Sequence, residues 1–157
     1  LLTVNRILPP DSDAPAVATL SLTASDRAKS RHRFTADDGT PIYLNLPRGT
    51  VLRGGDRLGG EADTVIGIVA KPEPVVVVKA HLSFDLLRAA YHLGNRHVSL
   101  ELAPDHLKLE PDPVLEALLH QLGGLELSTD TLPFEPEAGA YRSTIHSHSP
   151  SHGHDHN

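Results

Sequence analysis

The spacing of hydrophobic positions changes near residue 70. Before it, apolar residues alternate with polar ones or come in short runs broken by Gly and Pro, the pattern of strands joined by turns. Arg31-His-Arg-Phe-Thr35 and Thr40-Pro-Ile-Tyr-Leu-Asn-Leu46 are two β-prone runs joined through Asp37-Asp-Gly39, which predicts a hairpin. Ile42, Leu44 and Leu46 alternate with Tyr43 and Asn45, as a half-buried strand requires. Pro47-Arg-Gly49, Gly54-Gly-Asp56 and Gly59-Gly60 then punctuate short strands ending in Val65-Ile-Gly-Ile-Val69. The glycines lack the Gly-Lys-Ser/Thr ending of a phosphate loop and read as plain turns.

Lys71-Pro-Glu-Pro74 offers two prolines, two charges and no apolar side chain, and marks a boundary. Beyond it the period becomes mixed. Val75–Lys79 reads as a short buried strand. Ser83 is positioned to cap a helix whose apolar residues Leu86, Leu87, Ala90 and Leu93 fall on one side, with Asp85 at its positive end and Gly94 as its stop. Val98, Leu100 and Leu102 alternate as a second strand, and Leu107 and Leu109 as a third. Asp112-Pro113 is a capping residue followed by an N1 proline, with Val114, Leu115, Leu118, Leu119 and Leu122 following and Gly123-Gly124 as the stop. Leu125–Leu127 opens a last strand running towards Phe134. Strand, helix, strand, strand, helix, strand is the split βαβ, ferredoxin-like order, with both helices on one face and the other face or an edge left for partners. The fold class expected is α+β: an all-β N-terminal domain over residues 1–70, a ferredoxin-like βαββαβ domain over 75–140, and a disordered His-rich tail over 141–157.

Composition removes several functions. Net charge is −6 with His neutral, which lacks the basic field of a nucleic-acid binder. No window is long and apolar enough for a membrane span, and no charged-then-apolar signal opens the chain. A start at Leu1 reads as trimming of an initiator Met. Cys and Met are both absent, so there are no disulfides and no sulfur ligands, which fits a cytoplasmic protein. Any metal must be held by imidazole, carboxylate or backbone, a donor set that disfavours Cu(I) and admits Ni(II), Zn(II), Cu(II) and Co(II).

Histidine is where the chemistry concentrates. Five of the last twelve residues are His146, His148, His152, His154 and His156, spaced by Ser, Pro, Gly and Asp. Such a segment cannot pack and need not; it presents neutral imidazoles that collect cations weakly, because ordering the chain costs entropy. Metal and proton compete for the same nitrogen, so uptake weakens as pH falls through about 6.5. A second concentration is Ala90-Tyr-His-Leu-Gly-Asn-Arg-His97, at the junction between the first helix and the second strand. His92 lies on the helix and His97 opens the strand. One imidazole makes a poor site, but an isologous two-fold interface would bring the same residue from two subunits together. The tail could then close the site, since twelve extended residues span roughly 40 Å. His32, His81, His106 and His120 are isolated and read as structural or surface residues.

Tyr91-His-Leu-Gly-Asn-Arg-His-Val98, Glu110-Pro-Asp-Pro-Val-Leu-Glu116, Leu122-Gly123, Pro133-Phe-Glu-Pro-Glu-Ala-Gly-Ala-Tyr141 and the His-rich end together resemble the urease accessory protein E family. Arg31–Phe34, Asp37-Asp-Gly39 and Leu46-Pro-Arg-Gly-Thr50 resemble it as well, so the likeness spans nearly the whole chain. The resemblance implies a nickel metallochaperone of urease maturation, with an N-terminal domain that binds protein partners and a metal-binding second domain that forms a homodimer. It implies that His97 holds Ni(II) between subunits, with His92, Asn95 and Arg96 as motif or positioning residues. It implies as partners the urease apoprotein and the other accessory proteins, including the maturation GTPase. Some family members carry extra His ligands on the turn occupied here by Glu110-Pro-Asp-Pro113, which has none. The tail is then the remaining source of imidazoles, with His146 and His148 nearest the fold.

No nucleophile motif or His-Glu-x-x-His spacing supports an enzyme. Glu135 and Glu137 read as an exposed extended strand rather than a carboxylate pair. Two other roles fit the same residues: a His-rich nickel or zinc store, and a peptide-binding scaffold whose tail is incidental. Zn(II) and Cu(II) should also bind in vitro, because imidazole chemistry alone does not select nickel.

Overall fold

The computed structural model describes residues 1–139. The six tail and candidate-closing residues beyond them, His146 to His156 with Asp155, lie outside the described residues.

Residues up to 70 form a six-stranded mixed sheet. Its strands are β1 (Leu2–Ile7), β2 (Ala18–Leu22), β3 (Arg31–Thr35), β4 (Pro41–Asn45), β5 (Arg57–Gly60) and β6 (Val65–Ala70), in the order β2-β6-β5-β1-β4-β3. β1 runs parallel to β4 and β2 parallel to β6; the other neighbours are antiparallel. The predicted hairpin is β3–β4, and Gly39, at φ 89°, donates to the Ala36 carbonyl at 2.9 Å to close its turn. Ile42, Leu44 and Leu46 are buried as their alternation requires, among Val4, Leu20, Leu58 and Ile66. Gly60 is needed on β5, since a Cβ there would stand 2.0 Å from the Thr3 carbonyl oxygen of β1. The all-β expectation omitted one helical turn, α1 (Ala24–Arg27), capped by the Thr23 hydroxyl.

Residues 73–132 build the second sheet from β7 (Glu73–Ala80), β8 (Glu101–Leu102), β9 (Leu107–Leu109) and β10 (Leu125–Leu132), ordered β10-β7-β9-β8 with every neighbour antiparallel. With α2 (Ser83–Asn95) after β7 and α3 (Pro113–Leu122) after β9, this is the βαββαβ arrangement the sequence predicts. β7 and β10 pair over eight positions, from Leu125 opposite Ala80 to Leu132 opposite Glu73. Val76 and Val78 point into the core beneath the helices, against Leu86, Ala89, Leu93 and Leu119.

Several local expectations are corrected. The N-cap of α2 is Leu82, which makes no side-chain capping bond, and Ser83 is already helical. Gly94 does not stop α2, which runs to Asn95. The buried face of α2 is Leu86, Ala89 and Leu93, while Leu87 is 66% exposed. Val114 is likewise exposed at the start of α3. The strand predicted over Val98–Leu102 is paired only at Glu101 and Leu102. The last strand stops at Leu132.

The largest departure lies after that strand. The sheet face opposite the helices is not free at β7: Val75 and Val77 are covered by Phe134, with Ala24 and Leu132 beside them. The segment 133–137 is a strap across the seam between the two sheets, not an exposed strand. Glu135 accepts from the Gly54 N–H at 2.5 Å through its carboxylate and donates its own N–H to Glu101 at 2.8 Å. Glu137 donates its N–H to the Leu100 carbonyl at 2.7 Å, and Lys108 reaches the Pro133 carbonyl at 3.1 Å. On the N-terminal side, Glu73 accepts from the Ala24 N–H at 2.9 Å.

Candidate metal centre

His97 does not open a strand; it ends a helix. Arg96 is the C-cap of α2, and His97 follows at φ 57°, in the left-handed region that glycine normally occupies. Two backbone bonds define the turn: the His97 N–H reaches the Gly94 carbonyl at 3.0 Å, and the Val98 N–H reaches the Leu93 carbonyl at 3.2 Å. This is the Schellman arrangement, and its usual hydrophobic partner is present because Leu93 and Val98 belong to the same core. Burial of those two side chains therefore drives the helix one turn-residue past Gly94 and puts the strained position on histidine. A non-glycine residue there costs about 1 kcal/mol.

Arg96 completes the helix end. Its guanidinium donates to the His92 carbonyl at 3.1 Å, an acceptor that the departing chain leaves without its usual partner. A cation at this end also meets the negative pole of the helix. His92 is half-buried with its ring edge-on to Tyr91, centroids 5.3 Å apart, and it does not line the cleft that contains His97. Asn95 is exposed at the last helical position. Arg96 thus closes α2 onto the His92 carbonyl, and His97 follows the helix end with an exposed side chain.

His97 lines an open cleft of about 310 Å³ together with Arg96, Ser99, Glu110 and Asp112, and with Val98, Pro111 and Leu115. Space for about ten waters admits a hydrated ion. Asp112 is partly committed, since its Oδ1 accepts from the N–H groups of Val114 and Leu115 at 2.9 and 3.2 Å to cap α3. Among the described residues no three His, Asp or Glu side chains converge tightly enough to hold a metal. A single chain therefore brings one imidazole to this cleft, with the carboxylates of Glu110 and Asp112 on its lining.

The root of the tail lies close by. A second cleft, lined by Ala24, Ser25, Arg53, Ser99, Glu110 and the strap residues 136–139, shares Ser99 and Glu110 with the first. The chain therefore leaves the described structure at Gly139 beside the wall of the His97 cleft. Sequence reasoning did not find Ser99 or this adjacency, because the strap's partners lie far away in the chain; Gly54 and Glu135 are 81 residues apart.

The remaining described histidines lie apart from one another. His32 packs against Phe34 at 4.6 Å, and exposed His81 lies 3.4 Å from Glu126. His106 bonds Asp105 at 2.7 Å and holds that carboxyl below its usual range. His120 is exposed in the last turn of α3.

Residues 4–71 match the family model of the UreE urease accessory protein N-terminal domain, and residues 73–157 that of its C-terminal domain. The urease accessory protein UreE of Nostoc punctiforme is 51% identical over 149 residues, covering 94% of this chain and 100% of the relative. That of a second Nostoc strain is 49% identical over 142 residues, covering 90% and 96%. The protein of the same name from Microcystis aeruginosa is 46% identical over 148 residues, covering 90% and 93%.

Proposed function

Since the chain belongs to the UreE urease accessory protein family, whose role is in urease maturation and not in catalysis, we propose that it is a nickel metallochaperone. It binds Ni(II) at His97 and delivers the ion for assembly of the urease metallocentre. The observation that carries this reading is His97 itself: an exposed imidazole kept in a left-handed position where glycine would cost nothing. Exposed Ala62 and Asp63 share that left-handed φ, so the support comes from the strained position coinciding with an imidazole on the lining of a polar cleft. Transfer requires ligands that exchange readily, and neutral nitrogen donors on an open cleft meet that requirement.

A homodimer supplies the second His97. An apolar stripe on α2 supports it: Phe84, Leu87 and Tyr91 are 65%, 66% and 65% exposed and lead along the helix towards His97. Large side chains exposed together in this way signal a contact surface. The two-fold axis would have to pass at the C-terminal end of that stripe, where Tyr91 and Asn95 flank the site. The tail would supply further donors. From Gly139 to His146 is seven residues, a reach of roughly 23 Å, so His146 and His148 can close the site while His152, His154 and His156 collect ions. The partners are the urease apoprotein and the other accessory proteins, including the maturation GTPase, in the cytoplasm. No helix of the described residues is long and apolar enough to cross a membrane.

Calorimetric titration with Ni(II) tests the division of labour on three proteins: the full chain, His97→Ala, and a chain ending at Ser143. The full chain should show one tight site per dimer plus several weak ones. His97→Ala should lose the tight site and keep the weak ones, whereas truncation should lose the weak ones and loosen the tight one. Tight binding that survives in His97→Ala would remove the central claim and leave a His-rich nickel or zinc store. A protein that captures its urease-maturation partners equally well after chelation and tail removal would be a scaffold module instead.

A further inference from the structure

We propose that β3 is a docking edge, to which an acidic extended segment of a partner protein adds as a further strand of the N-terminal sheet. The two ends of that sheet are β2 and β3, and they are finished differently. An edge strand leaves the N–H and C=O of every second residue without a ladder partner. On β2 those groups are taken. The Thr19 carbonyl accepts from the Asp37 N–H at 2.9 Å, and the Ser21 N–H donates to the Asp37 carboxylate at 3.3 Å. The hydroxyls of Thr19 and Ser21 donate to the same carboxylate at 2.6 and 2.9 Å. Asp37 therefore closes the β2 edge.

β3 has no such cover among the described residues. Its ladder with β4 is bracketed by two backbone bonds, from the Leu46 N–H to the Ser30 carbonyl at 2.9 Å and from the Ala36 N–H to the Thr40 carbonyl at 2.8 Å. Antiparallel bonding alternates, so His32 and Phe34 bond to β4 while Arg31, Arg33 and Thr35 turn their backbone groups outward. Pro41, which has no N–H to give, stands opposite Thr35 as that parity requires. Phe34 packs on the core with Ile42 and Leu44, so Arg31, Arg33 and Thr35 lie on the other, solvent face, and all three are exposed. Neither guanidinium has an ion pair among the described residues. The charges nearby are engaged: Lys29 pairs with Asp26 at 2.9 Å, and Asp38 accepts from the Thr40 N–H at 2.9 Å.

Two free cations thus stand on alternate positions of an open edge, in a chain whose net charge is −6. They repel a second β3 edge, which would set arginine against arginine, and they attract a strand with carboxylates at alternate positions. The residue between two such carboxylates falls on the face of His32 and Phe34, whose rings stack at 4.6 Å. An apolar side chain there extends the core. The segment that fits therefore alternates acidic and apolar residues.

Charge on an edge also guards against aggregation, and amide NMR with hydrogen exchange on the full chain separates the two roles. The probe is a blocked heptapeptide, Thr-Glu-Val-Glu-Val-Glu-Thr. It should protect the amides of Arg31, Arg33 and Thr35 and leave those of His32 and Phe34, already bonded to β4, little changed. Reversing both charges, Arg31→Glu with Arg33→Glu, should weaken binding about tenfold or more, because two attractive cross-strand pairs become repulsive. In an antiparallel pairing the Glu nitrogens of the peptide face β3, so methylating them should abolish binding, and methylating the Val nitrogens should not. Protection that is absent or lies elsewhere overturns the proposal. So does equal binding of the Lys-for-Glu peptide, or binding that survives methylation at Glu. A double variant that self-associates yet binds the peptide unchanged makes the arginines guards and overturns it as well. If that variant does not fold, the methylated peptides decide the matter on the parent chain. None of these outcomes touches the nickel site, so the two readings stand or fall separately.

Discussion

A residue that carries both a ligand and a backbone strain separates stability from function by substitution. Replacing His97 with glycine removes the imidazole and also removes the cost of φ 57°. His97→Gly should therefore be more stable than the parent by about 1 kcal/mol, while His97→Ala, which keeps a Cβ, should show no such gain. Both should lose the tight nickel site. Denaturant unfolding of the three metal-free proteins checks the order, and equal midpoints for the glycine and alanine variants would mean that the turn carries no strain. The sign matters because an ordinary surface position gives the opposite result, glycine being the less stable choice. A stabilising change that abolishes binding is the trade expected where a fold holds a side chain for use rather than for packing.

At the scale of elements, what the sequence revealed depended on how local its cause was. Helix α3 was legible at both ends because its signals are short-range: Asp112 caps Val114 and Leu115, Pro113 follows, and Gly123 stands at φ 75° at the end. Helix α2 was legible in the middle only. Gly94 looked like its stop, but packing of Leu93 and Val98 moved the turn onto His97, and that contact is tertiary. Leu87 was assigned to the core because spacing reports an apolar stripe without saying what covers it. α2 has two such stripes, one on the sheet and one exposed. The site was legible as residue types, His97 within its motif, and not as a cleft, since Ser99 and Glu110 reach it by topology. A prediction follows for α3. Asp112→Ala removes two capping bonds and should destabilise the protein by about 1 kcal/mol. Because the carboxylate is engaged by backbone N–H groups, tight nickel binding should change little. Thermal melts and titration of one preparation check both halves, and a lost tight site would make Asp112 a ligand.

On the scale of the whole molecule, the two sheets are joined less by the short Lys71-Pro72 connection than by the strap that returns across them. β6 ends at Ala70 and β7 begins at Glu73, so two residues link the units covalently. The strap adds Phe134, fully buried against Val75 and Val77, and the chain of contacts from Glu135 through Glu101 to Lys108, the last pair at 2.9 Å. It is also held by Arg27, 1% exposed, whose guanidinium donates to the carbonyls of Leu22, Leu52 and Phe134. A segment with so little secondary structure is easily taken for the beginning of the tail, yet it belongs to the core. Two truncations separate the possibilities. A chain ending at Gly139 keeps every strap contact and should melt within about 2 °C of the full protein. A chain ending at Leu132 loses a buried aromatic side chain, a cost of about 3–5 kcal/mol, and leaves the Arg27 guanidinium buried with one acceptor fewer. At roughly 2–4 °C per kcal/mol for a protein of this size, its midpoint should fall by about 10 °C or more. Matching melts for the two would mean that the strap is passenger rather than core.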